Sequence, residues 1–264
     1  MPSLTLNSVE IAYDDIAPPG PAARTVVFLH GYASNGAEGW RRTGWYAAFE
    51  RRGARVIALD QRGHGQSAKP HEPDAYRREA MAGDVLALLD ALDVRRVDLI
   101  GYSMGTRTAL QVALRAPERV DNLVLGGVGG RFFESRDEAQ SDALAAAMLA
   151  EDPETISHSL LRSFRHFADE QGEDRQALAA FARARSPTFT PDELATLPMP
   201  VLVVAGQRDE IAGDPEDLAQ AFPMGRAVSV VGCDHFSAIP HALTKAAVFD
   251  FLDGLLDDPF PPSF

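Results

Sequence analysis

The chain contains 264 residues, of which 45% are apolar and 24% charged, so it can bury a substantial core in one large domain or two smaller ones. Its 38 acidic and 25 basic residues give a net charge of −13, and such a surface repels a phosphate backbone, which argues against nucleic-acid binding. A single cysteine, Cys233, excludes an internal disulfide framework and a cysteine-based zinc site.

Strand-like and helix-like segments alternate along most of the chain. Leu4–Leu6 and Val9–Tyr13 are short β-like runs on either side of Asn7-Ser8, which predicts an opening antiparallel hairpin. Continuous apolar runs then predict strands that are buried on both faces: Thr25–His30, Arg55–Asp60, Arg96–Gly101, Val120–Gly126, Pro200–Gly206 and Arg226–Gly232. Apolar residues at helical spacing fill the gaps between these runs. The alternation predicts an α/β fold with a mostly parallel central sheet flanked by helices.

The segment 128–187 departs from this alternation because it contains no buried-strand run. Helical patterns occur around Ala139–Ala150, Glu154–Ala168 and Arg175–Ala184, and five of the 14 phenylalanines of the chain fall in the segment. We interpret it as a helical cap, inserted over the strand ends of a core domain formed by 1–127 and 188–264. The alternative is an ordinary excursion of helices packed on the sheet. The closing residues Asp257–Phe264 are predicted to be a loose tail.

The first chemical motif is Gly101-Tyr102-Ser103-Met104-Gly105, a G-x-S-x-G sequence between a predicted strand and a predicted helix. A tight strand-to-helix turn forces its central residue into strained backbone angles, and the flanking glycines leave room for the turn. Such a turn lifts the Ser103 hydroxyl above the carboxyl ends of the strands, beside the amides at the start of the helix. Ser103 is therefore the candidate nucleophile, whereas a serine that only caps the helix is the structural alternative.

Other short motifs directly follow predicted strands. His30-Gly31-Tyr32 follows the first buried strand, and Asp60–Ser67 follows the next. Gly206–Asp209 and Gly232–Phe236 follow the last two strands. With the serine motif, this order resembles the α/β-hydrolase superfamily, and within it the capped, single-chain serine esterases. The resemblance covers nearly the whole chain outside the cap and implies an α/β-hydrolase fold with a nucleophile, an acid and a histidine in that order.

A serine hydroxyl needs a base within hydrogen-bond reach, and seven histidines compete for that role. His235 directly follows the last core strand, in the Gly-x-x-His-Phe loop where the resemblance places the base. The other six are better explained by glycine-rich turns, a proline-flanked loop, the cap or a helix start: His30, His64, His71, His158, His166 and His241.

The histidine needs a carboxylate that orients it and stabilises its charged form. Asp209 follows the preceding strand and is the candidate, with Glu210 and Asp214 as rivals, although Asp214-Pro215 is better explained as a helix N-cap. The resemblance further implies that the backbone amides of Tyr32 and Met104 form an oxyanion hole.

The glycine-rich run Asp60–Ser67, after the second buried strand, looks like a phosphate-binding loop but lacks the residue order of a P-loop. We interpret it as structural: Asp60 and Arg62 pair to fix a tight turn, in which Gly63 and Gly65 supply positive φ angles. We expect neither a metal nor another cofactor.

The preferred functional prediction is a serine hydrolase of carboxylic esters that acts through an acyl-enzyme on Ser103. We expect a small-molecule ester with a small to medium apolar acyl group, bound partly by the cap residues Phe164, Phe167 and Phe181. Two alternatives stay open: a carbon–carbon bond hydrolase of meta-cleavage products, and a ligand-sensing α/β-hydrolase with slow turnover.

The sequence has no apolar run long enough to span a bilayer, and its N-terminus lacks the basic-then-apolar order of a secretory signal. We therefore expect a cytoplasmic protein without a membrane span. Whether the protein is a monomer or a dimer stays open.

Overall fold

The computed structural model describes residues 1–134 and 138–256, so the predicted tail Asp257–Phe264 lies outside the described residues. In these residues one sheet of eight strands has the order β1-β2-β4-β3-β5-β6-β7-β8. The strands are β1 Ser3–Leu6, β2 Val9–Ile16, β3 Thr25–Leu29, β4 Arg55–Leu59, β5 Val97–Tyr102, β6 Val120–Gly126, β7 Val201–Gly206 and β8 Gly225–Val230.

The strand directions follow the sequence prediction. β1 and β2 form an antiparallel hairpin with Leu6 opposite Val9, and Asn7 and Ser8 both have positive φ angles (49° and 66°), as a two-residue hairpin turn requires. β2 then pairs antiparallel with β4, and every further pairing in the sheet is parallel. The prediction of an α/β-hydrolase fold with a mostly parallel sheet is therefore confirmed.

The α-helices of the described residues are α1 Trp45–Glu50, α2 Arg78–Ala91, α3 Met104–Arg115, α4 Glu138–Leu149, α5 Ser159–Gln171, α6 Arg175–Arg183, α7 Pro191–Leu194, α8 Pro215–Ala219 and α9 Ala242–Leu252. None of the helices in this part of the chain is long and apolar enough to cross a membrane.

The sheet has an apolar core on each face because alternate residues of a strand point to opposite sides. In β3, Val27 and Leu29 pack in the core that contains α2, α3 and α8. Val26 and Phe28 pack in the opposite core, which contains α1 and α9. From β3 to β7, the continuous apolar runs of the sequence thus correspond to strands that are covered on both faces. The same prediction is wrong for β8, which lies at the edge of the sheet and has Val230 as its one buried residue.

Helices α4, α5 and α6 and their connections make up residues 138–183, which we call the α4–α6 segment. Apolar side chains of this segment belong to a third apolar cluster. Its buried residues include Leu144, Met148 and Leu178, which cluster with Tyr32 and Met104 at the carboxyl ends of β3 and β5. The helical segment thus lies over the strand ends, where a cap is expected. The bounds 128–187 for a cap domain stay a prediction, and residues 135–137 of it are outside the described part.

The second helix of this segment begins later than its sequence pattern indicates. Residues Pro153–Thr155 form a short 3-10 turn, which Asp152 caps by accepting a hydrogen bond from the Glu154 amide. His158 is extended, with ψ at 114°, so α5 begins only at Ser159 and continues to Gln171. The local cap therefore competes with the helix that the apolar spacing favours.

Candidate active site

Ser103 occupies a sharp turn between β5 and α3, with φ 53° and ψ −110°. A non-glycine residue at positive φ is strained and needs support from its surroundings. The support comes from β6, because the carbonyl oxygen of Gly126 accepts hydrogen bonds from the Ser103 amide at 2.7 Å and from the Thr106 hydroxyl at 3.2 Å. A Cβ atom on Gly101 would lie 2.6 Å from the carbonyl oxygen of Gly105, so the turn closes only with glycine there.

The structure brings Ser103, His235 and Asp209 into one hydrogen-bonded row. His235 Nε2 is 3.0 Å from Ser103 Oγ, and His235 Nδ1 is 2.8 Å from Asp209 Oδ2. Asp209 and His235 are buried, with 4% and 6% of their surfaces exposed. This row is the arrangement in which an imidazole can accept the hydroxyl proton while a carboxylate holds its other nitrogen.

The rivals for the carboxylate position are placed elsewhere. Asp209 Oδ1 also accepts hydrogen bonds from the amides of Ile211 and Ala212, both at 3.0 Å, which fixes its carboxylate toward His235. Asp214 caps α8 by accepting from the Glu216 amide. Glu210 is exposed. Among the three acidic candidates, Asp209 is the one in contact with the histidine.

The histidine loop has two further supports that the sequence analysis missed. The Tyr102 hydroxyl donates a hydrogen bond to the His235 carbonyl oxygen at 2.6 Å. Burial, followed by the charge of Asp209, raises the pKa of Tyr102 well above its usual value, so the phenol stays a donor. On the other side of the loop, Asp234 Oδ1 accepts from the amides of Phe236 and Ser237, and these bonds, with the Ser237 hydroxyl first, lower the pKa of Asp234.

The two predicted oxyanion donors lie beside the nucleophile. Met104 is the first residue of α3, where backbone amides have no acceptor within the helix. Tyr32 follows Gly31, and a Cβ atom on Gly31 would lie 3.6 Å from Ser103 Cβ, so the loop after β3 runs next to the serine. Both residues line the same cavity as Ser103. Their amides therefore remain the predicted oxyanion donors.

The other buried histidines are placed as structural residues. His30 Nε2 accepts a hydrogen bond from the Gln61 amide at 2.9 Å, while His30 Nδ1 lies 2.8 Å from the Gly31 carbonyl oxygen. Burial lowers the pKa of His30, and it lowers the pKa of His64 to about 3, so both stay neutral. His241 caps α9 through its side chain, as expected of a helix-start residue.

The predicted pair of Asp60 and Arg62 is wrong, although the turn itself is as expected. Arg62 instead forms two 2.7 Å bonds with the buried carboxylate of Asp84 on α2. Asp60 accepts from the amides of Gly36 and Gln66, which fixes the turn through backbone donors. Two glycines of the run have positive φ angles, 83° and 54°, as predicted: Gly63 and Gly65. Both Asp60 oxygens are thus occupied by backbone donors, whereas Asp84 offers the arginine two oxygens for a bidentate pair.

Comparison with known proteins identifies the fold family from residues 24–177, which match the model of the alpha/beta hydrolase fold. The chain belongs to the α/β-hydrolase family. It is 33% identical to a 2-hydroxymuconate semialdehyde hydrolase of Pseudomonas sp. (strain CF600), over 75% of this chain and 76% of that protein.

Two further proteins resemble this α/β-hydrolase, and the match covers a different share of each. A 2-hydroxy-6-oxononadienedioate/2-hydroxy-6-oxononatrienedioate hydrolase of Paraburkholderia xenovorans (strain LB400) is 44% identical, but over only 47% of this chain and 42% of the relative. The chain thus matches less than half the length of that relative. The crystal structure of an enol-lactonase from Burkholderia xenovorans LB400 superimposes with a TM-score of 0.71 at 25% identity, covering 97% of this chain and 100% of that one.

The α/β-hydrolase has an open cavity of about 1100 Å³ between Ser103 and the α4–α6 segment. Of the three phenylalanines predicted to bind substrate, Phe164 and Phe181 line this cavity. Phe167 is not among its described lining residues, and its ring packs 6.1 Å from that of Phe236. Phe167 lies almost one helical turn beyond Phe164, about 4.5 Å further along α5, which takes it away from the cavity.

A buried carboxylate also joins the α4–α6 segment to the core. Glu173, between α5 and α6, accepts hydrogen bonds from the Gly65 amide at 2.8 Å and from Asn35 Nδ2 at 3.1 Å. Asp174 beside it accepts from the first turn of α6 and lies 3.1 Å from His71 Nε2. Glu173 thus connects the segment with the loops after β3 and β4, and the loop after β3 also carries a predicted oxyanion donor.

We expect Glu173→Ala to lower the free energy of unfolding by about 1–3 kcal/mol, because two partly buried donors lose their acceptor. Urea denaturation of wild type and variant measures the difference. Glu170→Ala is the matched control, since Glu170 is exposed on α5 in the same segment. Equal stability of the two alanine variants would contradict the role assigned to Glu173.

Glu173 also predicts how the free energy of unfolding changes with pH. Burial raises the pKa of Glu173, so the folded protein binds its proton more readily than the unfolded chain, where a glutamate titrates near pH ~4.3. The carboxyl group therefore costs stability as the pH rises from about 4 toward neutral. Glu173→Gln removes this titration, so we expect the difference in free energy of unfolding, variant minus wild type, to rise with pH over that range. A difference that falls as the pH rises would be inconsistent with a raised pKa.

Proposed function

We propose that this α/β-hydrolase cleaves carboxylic esters through an acyl-enzyme on Ser103. The observation that carries the proposal is the row in which His235 lies 3.0 Å from the serine oxygen and 2.8 Å from Asp209. A serine hydroxyl at its free pKa is a poor nucleophile, and this row provides the base that it needs. Nucleophile, base and acid come from the carboxyl ends of β5, β8 and β7, the edge at which open α/β sheets bind ligands.

In the first half of the reaction, His235 Nε2 accepts the Ser103 proton as Oγ attacks the ester carbonyl. The carbonyl π bond breaks, and its electron pair moves onto the oxygen, where the amides of Tyr32 and Met104 hold the negative charge. The intermediate collapses as the bond to the alcohol oxygen breaks, and the imidazolium returns its proton to the leaving alcohol.

In the second half, a water molecule replaces the alcohol. His235 takes a proton from this water, whose oxygen attacks the acyl carbonyl and forms a second tetrahedral intermediate. The bond to Ser103 Oγ then breaks, the serine recovers a proton from the histidine, and the carboxylic acid leaves. Asp209 holds His235 Nδ1 and stabilises the imidazolium that forms twice per cycle.

A carbon–carbon bond hydrolase is the second candidate. Its support is the resemblance to two proteins whose names describe hydrolases of 2-hydroxy-6-oxo acids and of 2-hydroxymuconate semialdehyde. A panel of p-nitrophenyl esters graded by chain length, assayed beside a meta-cleavage dienoate, separates the two activities. A slow-turnover ligand sensor would bind its ligand tightly in the same assays yet release product very slowly.

The Ser103 assignment predicts covalent labelling. A fluorophosphonate probe should modify wild type at Ser103, and Ser103→Ala should remove the label and lower kcat for ester cleavage by at least about 10³-fold. Intact-mass and peptide mass spectrometry locate the label. Ser163→Ala is the control, because Ser163 also lines the cavity but bonds to its own helix. Labelling that survives in Ser103→Ala defeats the assignment.

The histidine base predicts a fall of kcat/KM in acid. A protonated imidazole cannot accept the serine proton, so the rate should fall as acid protonates the base. Initial rates on a neutral p-nitrophenyl ester, with circular dichroism at each pH as the folding control, measure this dependence. A rate that stays flat from about pH 8 to about pH 5 is evidence against His235 as the base.

The cavity lining predicts which phenylalanines select the acyl group. Phe164→Ala and Phe181→Ala should each change the ratio of kcat/KM for long and short acyl esters by about 10-fold or more, because a lost ring changes the apolar contact with the acyl chain. Phe167→Ala is the matched control on the same helix and should leave the ratio within about 2-fold of wild type. Equal effects at all three positions would show that the changes act through packing of the segment.

A further inference from the structure

The cavity above Ser103 is basic, although the protein is strongly acidic. Its described lining residues include four arginines and two glutamates: Arg78, Arg107, Arg131, Arg185, Glu134 and Glu210. The whole chain carries a net charge of −13. Arginine is rarely placed in a partly enclosed cavity without a function for its charge. The lining therefore favours an anionic group on the ligand over a purely apolar one.

Two of these arginines flank a pair of stacked rings in the cavity wall. The Phe132 and Phe189 rings are 5.6 Å apart at an interplanar angle of 25°. The Arg107 guanidinium lies 4.5 Å from the centroid of the Phe132 ring, and the Arg78 guanidinium lies 4.3 Å from that of Phe189. Both rings are almost fully buried, so the two arginine groups lie against a fixed aromatic surface in the cavity wall.

Arg78 has weaker partners than its burial requires. Its Nη1 atom is buried and has no hydrogen-bond partner among residues 1–134 and 138–256. Its Nη2 atom is 3.9 Å from Glu193 Oε1, beyond hydrogen-bond distance, while Glu193 Oε2 accepts from the Thr190 amide in the capping box of α7. Its Nε atom is 3.3 Å from the exposed Glu79. A buried cationic donor without a hydrogen-bond partner is unfavourable, so an acceptor that entered the cavity would stabilise this group.

The cavity connects Arg78 with the nucleophile along α3. Arg107 is four residues after Ser103 and so lies one helical turn away on the same face, and the stacked rings lead from Arg107 to Arg78. Arg78, Arg107 and Ser103 all line this cavity. A ligand whose reacting carbonyl lies at Ser103 could therefore reach the guanidinium of Arg78 through this cavity.

We propose that the substrate carries a carboxylate remote from its scissile carbonyl and that Arg78 binds this carboxylate. The inference rests on the proposed ester hydrolysis at Ser103 and adds the substrate class, a half-ester of a dicarboxylic acid or an ester with an acidic alcohol part. The planar guanidinium can hold a carboxylate through two parallel N–H bonds at its Nη1–Nη2 edge, once a rotation about the Cδ–Nε bond turns that edge to the cavity.

The test compares substrates that differ only in the remote charge. p-Nitrophenyl half-esters of dicarboxylic acids are assayed beside methyl-terminated p-nitrophenyl esters of the same chain length, and 4-acyloxybenzoates place the carboxylate on the alcohol side instead. We expect wild type to favour one carboxylate series in kcat/KM by about 10-fold or more. Arg78→Gln should lower kcat/KM for that series by about 10- to 100-fold, as for a lost charge-assisted bond, and change the neutral series less than 3-fold.

Two variants separate recognition from structure. Arg77→Gln removes an exposed arginine that is next in sequence and absent from the described lining, so it should keep the preference. Arg78→Lys keeps the charge without the planar fork and should retain part of the preference. Equal kcat/KM for charged and neutral series in wild type overturns the proposal, and so does an Arg78→Gln variant that keeps the preference.

A binding measurement decides the inference even if ester turnover itself is absent. In Ser103→Ala protein, calorimetric titration with the monomethyl ester of hexanedioic acid and with methyl hexanoate should show at least about 10-fold tighter binding of the charged ester. The difference should vanish in Ser103→Ala/Arg78→Gln. Failure to cleave either ester series counts against the proposed function, whereas equal binding of the two methyl esters counts against the carboxylate site, so the two failures are distinguishable.

Discussion

The site depends on one packing constraint, the close approach of the first turn of α3 to the ends of β3 and β5. Gly105 lies directly against the carbonyl groups of Leu29 and His30, where a Cβ atom would overlap them. This contact leaves the chain too little room for an ordinary turn, and Ser103 therefore takes a positive φ angle. The same contact places the loop after β3 beside the serine, so the candidate nucleophile and the candidate oxyanion donors are positioned together.

A second close approach sets the base and its carboxylate. A Cβ atom on Gly206, at the end of β7, would collide with the backbone of Cys233 and Asp234 after β8. The two loops can therefore lie close enough for the 2.8 Å contact between Asp209 and His235. Tyr102 then joins this pair to the serine turn, because it is adjacent to Ser103 and donates to the His235 carbonyl. The row of three groups is thus fixed by backbone packing at the edge of the sheet.

The sequence predicted those features that depend on local pattern. Continuous apolar runs located the strands to within about two residues. The motifs after β5, β7 and β8, together with the resemblance to the α/β-hydrolases, selected Ser103, Asp209 and His235 for the row that the structure contains. Contacts between distant residues were not predictable. Arg62 pairs with Asp84, 22 positions later, and Glu173 accepts from Gly65, 108 positions earlier. No periodicity specifies such partners, because the tertiary fold selects them.

The net charge of the chain and the charge of its cavity differ in sign, and only the first can be read directly from the sequence. A net charge of −13 describes the field that a large polyanion meets, and it argues against nucleic-acid binding. Salt screens that field over about 8 Å, so a small ligand inside the cavity responds mainly to the groups that line it. The arginines of the lining come from separate elements, among them Arg78 on α2 and Arg107 on α3. An acidic protein can therefore hold a basic cavity, and only the fold shows that these cations converge near one serine.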